Sequence, residues 1–121
     1  MKYSLMGSRF MDNVKNDKYY IAKILADVKY LMELTKKYTN EALSQNETTL
    51  DSVFIRFIQI AENASKLTKE FKQEHNVISW SSINGLRNRI VHDYGHTDLN
   101  VIFDTLNCDI PELAQLLEGC L

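Results

Sequence analysis

Four glycines and a single proline serve all 121 residues. A sheet protein of this length turns often, and tight turns draw on glycine and proline for backbone geometries that other residues adopt at a cost. Asparagine is plentiful, yet the shortage of the other two speaks against a β-sandwich or barrel. The expectation is an all-α chain. Its length suits one domain, since compact domains most often run to roughly 100–150 residues.

Charge and hydropathy narrow the class further. The composition is 45% hydrophobic and 25% charged, which is that of a globular chain rather than a disordered or disulfide-dense one. The formal net charge is −2. The chain is not polybasic, although a local patch or a dimer groove can be basic on an acidic protein. No apolar run approaches the ~18–20 residues of a membrane span. The N-terminus lacks the apolar stretch of a secretory signal, and Cys108 and Cys120 have no CxxC spacing. Both are expected to be reduced, mostly buried thiols of a cytoplasmic protein.

Residues 1–16 carry no sustained period. Met11 precedes the first strong pattern and is a candidate translation start, with a genuine short arm as the alternative. The expected organisation is an N-terminal arm over 1–11 and a helical domain over 12–121.

From Asp17 to about Tyr38, the positions Ile21, Ile24, Leu25, Val28, Leu31, Met32 and Thr35 form one helical stripe. Asp17 is the expected N-cap, and Lys36 and Lys37 suit the C-terminal dipole. A polar loop follows over 39–49. A second helix, capped near Thr48 to Asp51, is expected to reach about Glu74. Its broad stripe of Phe54, Phe57, Ile58, Ala61, Ala64, Leu67 and Phe71 suggests contact on two sides. A third helix is expected from about Ser82 to Tyr94, closed by Gly95. A fourth begins at Thr97 or Asp98 and is kinked or restarted near Asp109, where Asp109-Ile110-Pro111-Glu112 has the form of a capping box. The sum is an up-down bundle of four or five helices.

Most of the polar chemistry lies in Arg87-Asn88-Arg89-Ile90-Val91-His92-Asp93-Tyr94. Asn88 and His92 share a helix face. Arg87 and His92 are five apart, about 140° around an ideal helix. They converge only if the helix end distorts, if the arginine wraps round, or if a second subunit completes the site, which favours a dimer. Histidine as a residue type exchanges protons near neutral pH, and the planar arginine fork suits phosphate. Together they fit metal-independent RNA cleavage. A base removes the 2′-OH proton, that oxygen attacks the adjacent phosphorus, and arginine stabilises the charge that builds there. Asn88 could orient the imidazole or bind phosphate, and Tyr94 could stack. The plain structural alternative makes Arg87 an ion pair to Glu62 or Asp93, His92 a helix-end residue and Tyr94 an interface aromatic.

A metal reading of His92, His96, Asp98 and Asp93 is weak, because Gly95 interrupts the helix between the two histidines. Lys66, Lys69 and Lys72 follow helical spacing and read as one solvated face.

The spacing Arg87-Asn88-x-x-x-His92-x-Tyr94 resembles the R-x4-H-x-Y signature of HEPN domains, in particular the HepT-like ribonuclease toxins. The flanks agree: Trp80-x-x-Ile83-x-Gly85-Leu86 resembles the family's lead into the motif, and Ile110-Pro111-Glu112-Leu113 also looks familial. Ile60-Ala61-Glu62-Asn63-Ala64 resembles a glutamate-bearing stretch imperfectly, with Ala61 in place of a glycine. The resemblance implies a helical bundle that dimerises through its motif-bearing helices, with higher oligomers also open. It implies catalysis by Arg87, His92 and Asn88 on RNA, with tRNA the expected class and no metal or other cofactor. It implies a nucleotidyltransferase antitoxin of the MNT type that adenylylates Tyr94, as in type VII toxin–antitoxin pairs. Arg89 lies outside the signature and is a candidate RNA contact, and Glu62 is a candidate partner for Arg87. The alternatives are a non-catalytic HEPN module that partners a nucleotidyltransferase and a purely structural bundle.

Overall fold

A computed structural model describes residues 16–93, 96 and 98–121. The expected arm over 1–11, Met11, Tyr94 and Gly95 lie outside the described residues. Within them the chain is helical with no strand: α1 (Asp17–Lys37), α2 (Asn40–Ser44), α3 (Glu47–Ala64), α4 (Lys69–Glu74), α5 (Trp80–His92), α6 (Leu99–Asp104), a π-helical turn (Thr105–Asp109) and α7 (Ile110–Glu118).

The first helix starts one residue earlier than its acidic residue suggests. Asn16 is the N-cap, and its Oδ1 accepts from the Tyr19 amide at 3.1 Å. Asp17 is thereby free for a distant task. Its carboxylate accepts from the Thr68 amide at 2.9 Å and from the Thr68 hydroxyl at 2.7 Å. Thr68 in turn caps α4 by accepting from the Phe71 amide. So the helix expected to run to Glu74 ends at Ala64, and α4 restarts after a capped turn. The Lys66, Lys69 and Lys72 triplet is split by that turn and forms no single helix face. The expected loop over 39–49 holds α2, capped by Thr39, with Leu43 fully buried beneath it. Asn46 caps α3, upstream of the expected positions.

α1 packs against α3 and α7, and α3 packs against both α1 and α5. α1 and α3 run antiparallel. Asp17 meets Thr68, Asp27 meets Arg56, and Tyr30 meets Ser52 in that order. The core between them holds Ile21, Ile24, Val28, Leu31, Val53 and Phe57, all at most 2% exposed. Burying each such side chain contributes roughly 1.5–3 kcal/mol. The pair Arg56 Nη1 and Asp27 Oδ1 closes at 2.7 Å on a nearly buried carboxylate, and the guanidinium lies over the Tyr30 ring at 3.9 Å.

The C-terminal helices resolve the kinked-or-restarted question. Asp98 caps α6. Helix geometry then continues through the π turn, where the Ile110 amide donates to the Thr105 carbonyl five residues back. Pro111 is the physical cause, since it has no N–H and its ring crowds the carbonyl four residues earlier. The Asp109 side chain makes no cap bond, so the capping box does not form. Cys108 sits on this turn and is exposed, contrary to expectation. Cys120 is half-buried, with its Sγ 3.5 Å from His75 Nδ1.

Candidate active site

α5 starts at Trp80, two residues before the expected Ser82. The Ser79 and Ser82 hydroxyls hydrogen-bond to each other at 2.6 Å, and the indole Nε1 of Trp80 donates to the Lys72 carbonyl at 3.3 Å. That bond ties the start of the motif helix to α4. The Asp93 amide closes the last turn on the Arg89 carbonyl. α5 is anchored by one stripe: Ile90 is fully buried, and Ile83 and Leu86 are half-buried against the core. Of its thirteen residues only Ile90 is buried.

The remaining faces carry the motif. Arg87 reaches back to α3. Its Nε donates to Glu62 Oε1 at 3.1 Å, and its Nη2 lies 3.1 Å from the same oxygen. Its Nη1 donates to Asn88 Oδ1 at 3.0 Å. A guanidinium has five N–H donors. Nε and one N–H of each Nη face these partners, so the second N–H of Nη1 and of Nη2 remains for an anion. The structure therefore brings Arg87, Asn88 and Glu62 together.

His92 is not part of that cluster. It is exposed in the last turn of α5, about 140° around the helix from Arg87 on ideal geometry. Asn88 and Arg89 are exposed as well. Asn88 lies one turn before His92, on the same outward side. Tyr94 lies outside the described residues. No group of three or more histidine, cysteine, aspartate or glutamate side chains is placed to hold a metal ion among the described residues.

Two depressions flank the motif helix. On the Arg87 side, a shallow cleft of about 350 Å³ between α3 and α5 includes Lys72, Trp80 and Asn84. On the other side, a groove of about 490 Å³ separates α5 from the C-terminal helices and includes Arg89, Asp109 and Glu112. The two carboxylates of this groove were not singled out in the sequence, where they read as capping residues. Their only signal was their failure to have an apolar-face role.

The fold and motif agree with relatedness over nearly the whole chain. The family model "Ribonuclease HepT-like" matches residues 13–119. The chain is 29% identical over 109 residues to "Putative RNase TTE0752" of Caldanaerobacter subterraneus subsp. tengcongensis, covering 89% of this chain and 96% of that protein. It is 29% identical over 105 residues to "Probable ribonuclease HepT" of Thermococcus cleftensis, covering 86% and 94%. It is 28% identical over 101 residues to "Gamma-glutamylcyclotransferase and putative RNase MJ0434" of Methanocaldococcus jannaschii, covering 84% of this chain and 46% of that longer protein. No solved structure matches significantly. With a helical bundle, an Arg87-to-His92 motif on its outer helix and a family match from residue 13 to residue 119, the chain belongs to the HepT-like ribonuclease family.

Proposed function

We propose that this protein is a metal-independent endoribonuclease that acts as the toxin of a type VII-like toxin–antitoxin pair in the cytoplasm, with tRNA as its substrate class. The observation that carries this reading is the bareness of the motif helix. α5 buries only Ile90 and leaves Asn88 and His92 exposed. A helix so thinly covered in its own bundle is suited to pairing with a second copy. Pairing would set Arg87 of one subunit near His92 of the other and remove the 140° separation as an obstacle.

In that cleft the His92 imidazole takes the proton from a ribose 2′-OH. The 2′ oxygen attacks the neighbouring phosphorus and the bond to the 5′ oxygen breaks, leaving a 2′,3′-cyclic phosphate and a 5′ oxygen that takes a proton from water. The remaining N–H groups of Arg87 Nη1 and Nη2 stabilise the extra negative charge on the phosphoryl oxygens. Glu62 fixes the other edge of the guanidinium, and Asn88 holds Nη1. The antitoxin, a nucleotidyltransferase, silences the enzyme by transferring AMP from ATP to the Tyr94 hydroxyl with release of pyrophosphate, and the AMP adds negative charge and bulk where the RNA backbone would lie.

The test is cleavage of total tRNA in EDTA by protein made without antitoxin, with intact mass proving Tyr94 unmodified. Wild type should cut and His92→Ala should not, at unchanged helicity. A wild-type protein that is dimeric, unmodified and inert would overturn the ribonuclease reading in favour of a non-catalytic module.

A further inference from the structure

The groove on the Arg89 side of α5 has apolar walls from Ile60, Ile83, Leu86, Leu113 and Leu116. Its rim is charged with both signs. Arg89 comes from α5, Asp109 from the π-helical turn and Glu112 from α7. All three are exposed, and none makes a side-chain hydrogen bond or ion pair among the described residues. Elsewhere Asp17, Asp27, Glu62, Arg56 and Arg87 are all engaged. Gly85 also lines the groove, and a Cβ built on it meets nothing within 4 Å. Gly85, Arg89 and His92 lie within about 60° of one another around an ideal helix. His92 therefore stands on the groove's side of α5, one turn beyond Arg89, the last α5 residue of the lining.

A volume of this order suits a small planar ligand with apolar faces and a polar edge. A phosphate group is disfavoured by two carboxylates. A nucleobase is not, and the mixed rim discriminates among bases. Guanine carries N1–H and the N2 amino group side by side, a donor pair that one carboxylate accepts in parallel. Its O6 and N7 accept from an arginine fork. Adenine, cytosine and uracil lack that adjacent donor pair.

We propose that this groove is a base-recognition subsite that takes a guanine of the RNA next to the phosphate under attack, with Asp109 or Glu112 reading N1–H and N2 and Arg89 reading O6 and N7. The proposal rests on the ribonuclease reading and adds to it a source of sequence preference.

The experiment uses the full-length His92→Ala protein, so that RNA stays intact. Binding of five-nucleotide uridine oligoribonucleotides with G, inosine, A or U at the centre is followed by fluorescence anisotropy and by amide chemical shifts. The G oligonucleotide should bind at least about tenfold tighter than the all-U one. Inosine, which lacks the N2 amino group, should lose most of that gain. Shifts should gather at Gly85, Thr105 and Leu113. Asp109→Asn and Glu112→Gln, tested singly and together with circular dichroism as the folding control, should erase the preference. Equal binding of all four oligonucleotides, or shifts confined to Arg87 and Asn88, would overturn the subsite and leave the ribonuclease reading standing. Groove shifts that depend on protein concentration without RNA would overturn it too, by marking a contact between copies. No binding of any oligonucleotide, with no tRNA cleavage by wild type, would overturn both readings.

Discussion

Glu62 and Arg87 meet across the α3–α5 contact, with Oε1 of the carboxylate 3.1 Å from both Nε and Nη2 of the guanidinium. Both partners are partly open to solvent, at 51% and 34% side-chain exposure. An ion pair so exposed is worth under about 1 kcal/mol to folding. Its larger effect is on aim, because the contact fixes which edge of the guanidinium points outward. Glu62→Gln is expected to lower tRNA cleavage roughly ten- to hundredfold, while the urea midpoint stays close to wild type. A parallel fall in stability and activity would make the pair merely structural.

Ile90 is the sole fully buried anchor of the motif helix. Ile90→Ala removes three carbons from the core and leaves a cavity, at a cost of about 3 kcal/mol. Urea unfolding followed by circular dichroism checks this. Val91→Ala is the comparison: Val91 is 45% exposed in the single subunit. It should leave the unfolding of a dilute, monomeric sample nearly unchanged. Any loss it does cause should appear in dissociation of the proposed dimer.

Asp27 is 6% exposed and is answered by Arg56. Removing only the arginine strands a nearly buried carboxylate. Arg56→Met should destabilise by about 2 kcal/mol. The double change Asp27→Leu with Arg56→Met should recover most of the loss, since an apolar pair has no charge to desolvate. Equal destabilisation by the single and double changes would refute this account.

Burial raises the Cys120 thiol above its ordinary pKa. The folded chain thus keeps a proton that the unfolded chain gives up. Where the unfolded state binds fewer protons, stability falls as pH rises, here from the ordinary thiol range upward to the raised value. Below that range both states are protonated and the effect vanishes. Cys120→Ser should flatten the decline of the urea midpoint between pH 8 and 10. Iodoacetamide should label the exposed Cys108 faster than Cys120 in the folded protein.

The helices were legible because their apolar spacing is set locally, residue by residue. Ile21, Ile24, Leu25, Val28 and Leu31 announce α1 with no help from the rest of the chain. Boundaries were less legible wherever a long-range partner decides them. Asp17 looks like a cap but is claimed by Thr68, 51 residues away. The α3 run also stops short of Thr68, closed by the Ser65 amide on the Ala61 carbonyl, although the apolar period continues through Leu67 and Phe71. α2 is five residues long with one buried side chain, too short for a period to emerge. At the site, residue types alone singled out Arg87, Asn88, Arg89 and His92. The meeting of Arg87 with Glu62 depends on how α3 and α5 pack, which no spacing within α5 encodes. Asp109 and Glu112 have the spacing of a capping box, which fits a helix restart, whereas helix geometry continues through a π turn before Pro111.

That wide turn keeps the tail of the chain in phase. The buried positions Ile102, Leu106, Ile110 and Ala114 advance in steps of four. On an unbroken α-helix each such step rotates the next residue by about 40°, and three steps would swing the seam about 120° off the core. The looser winding at Thr105–Asp109 takes up that drift, and Leu117 remains fully buried at the far end. One irregularity therefore lets the π turn and α7 both stay seated along α1.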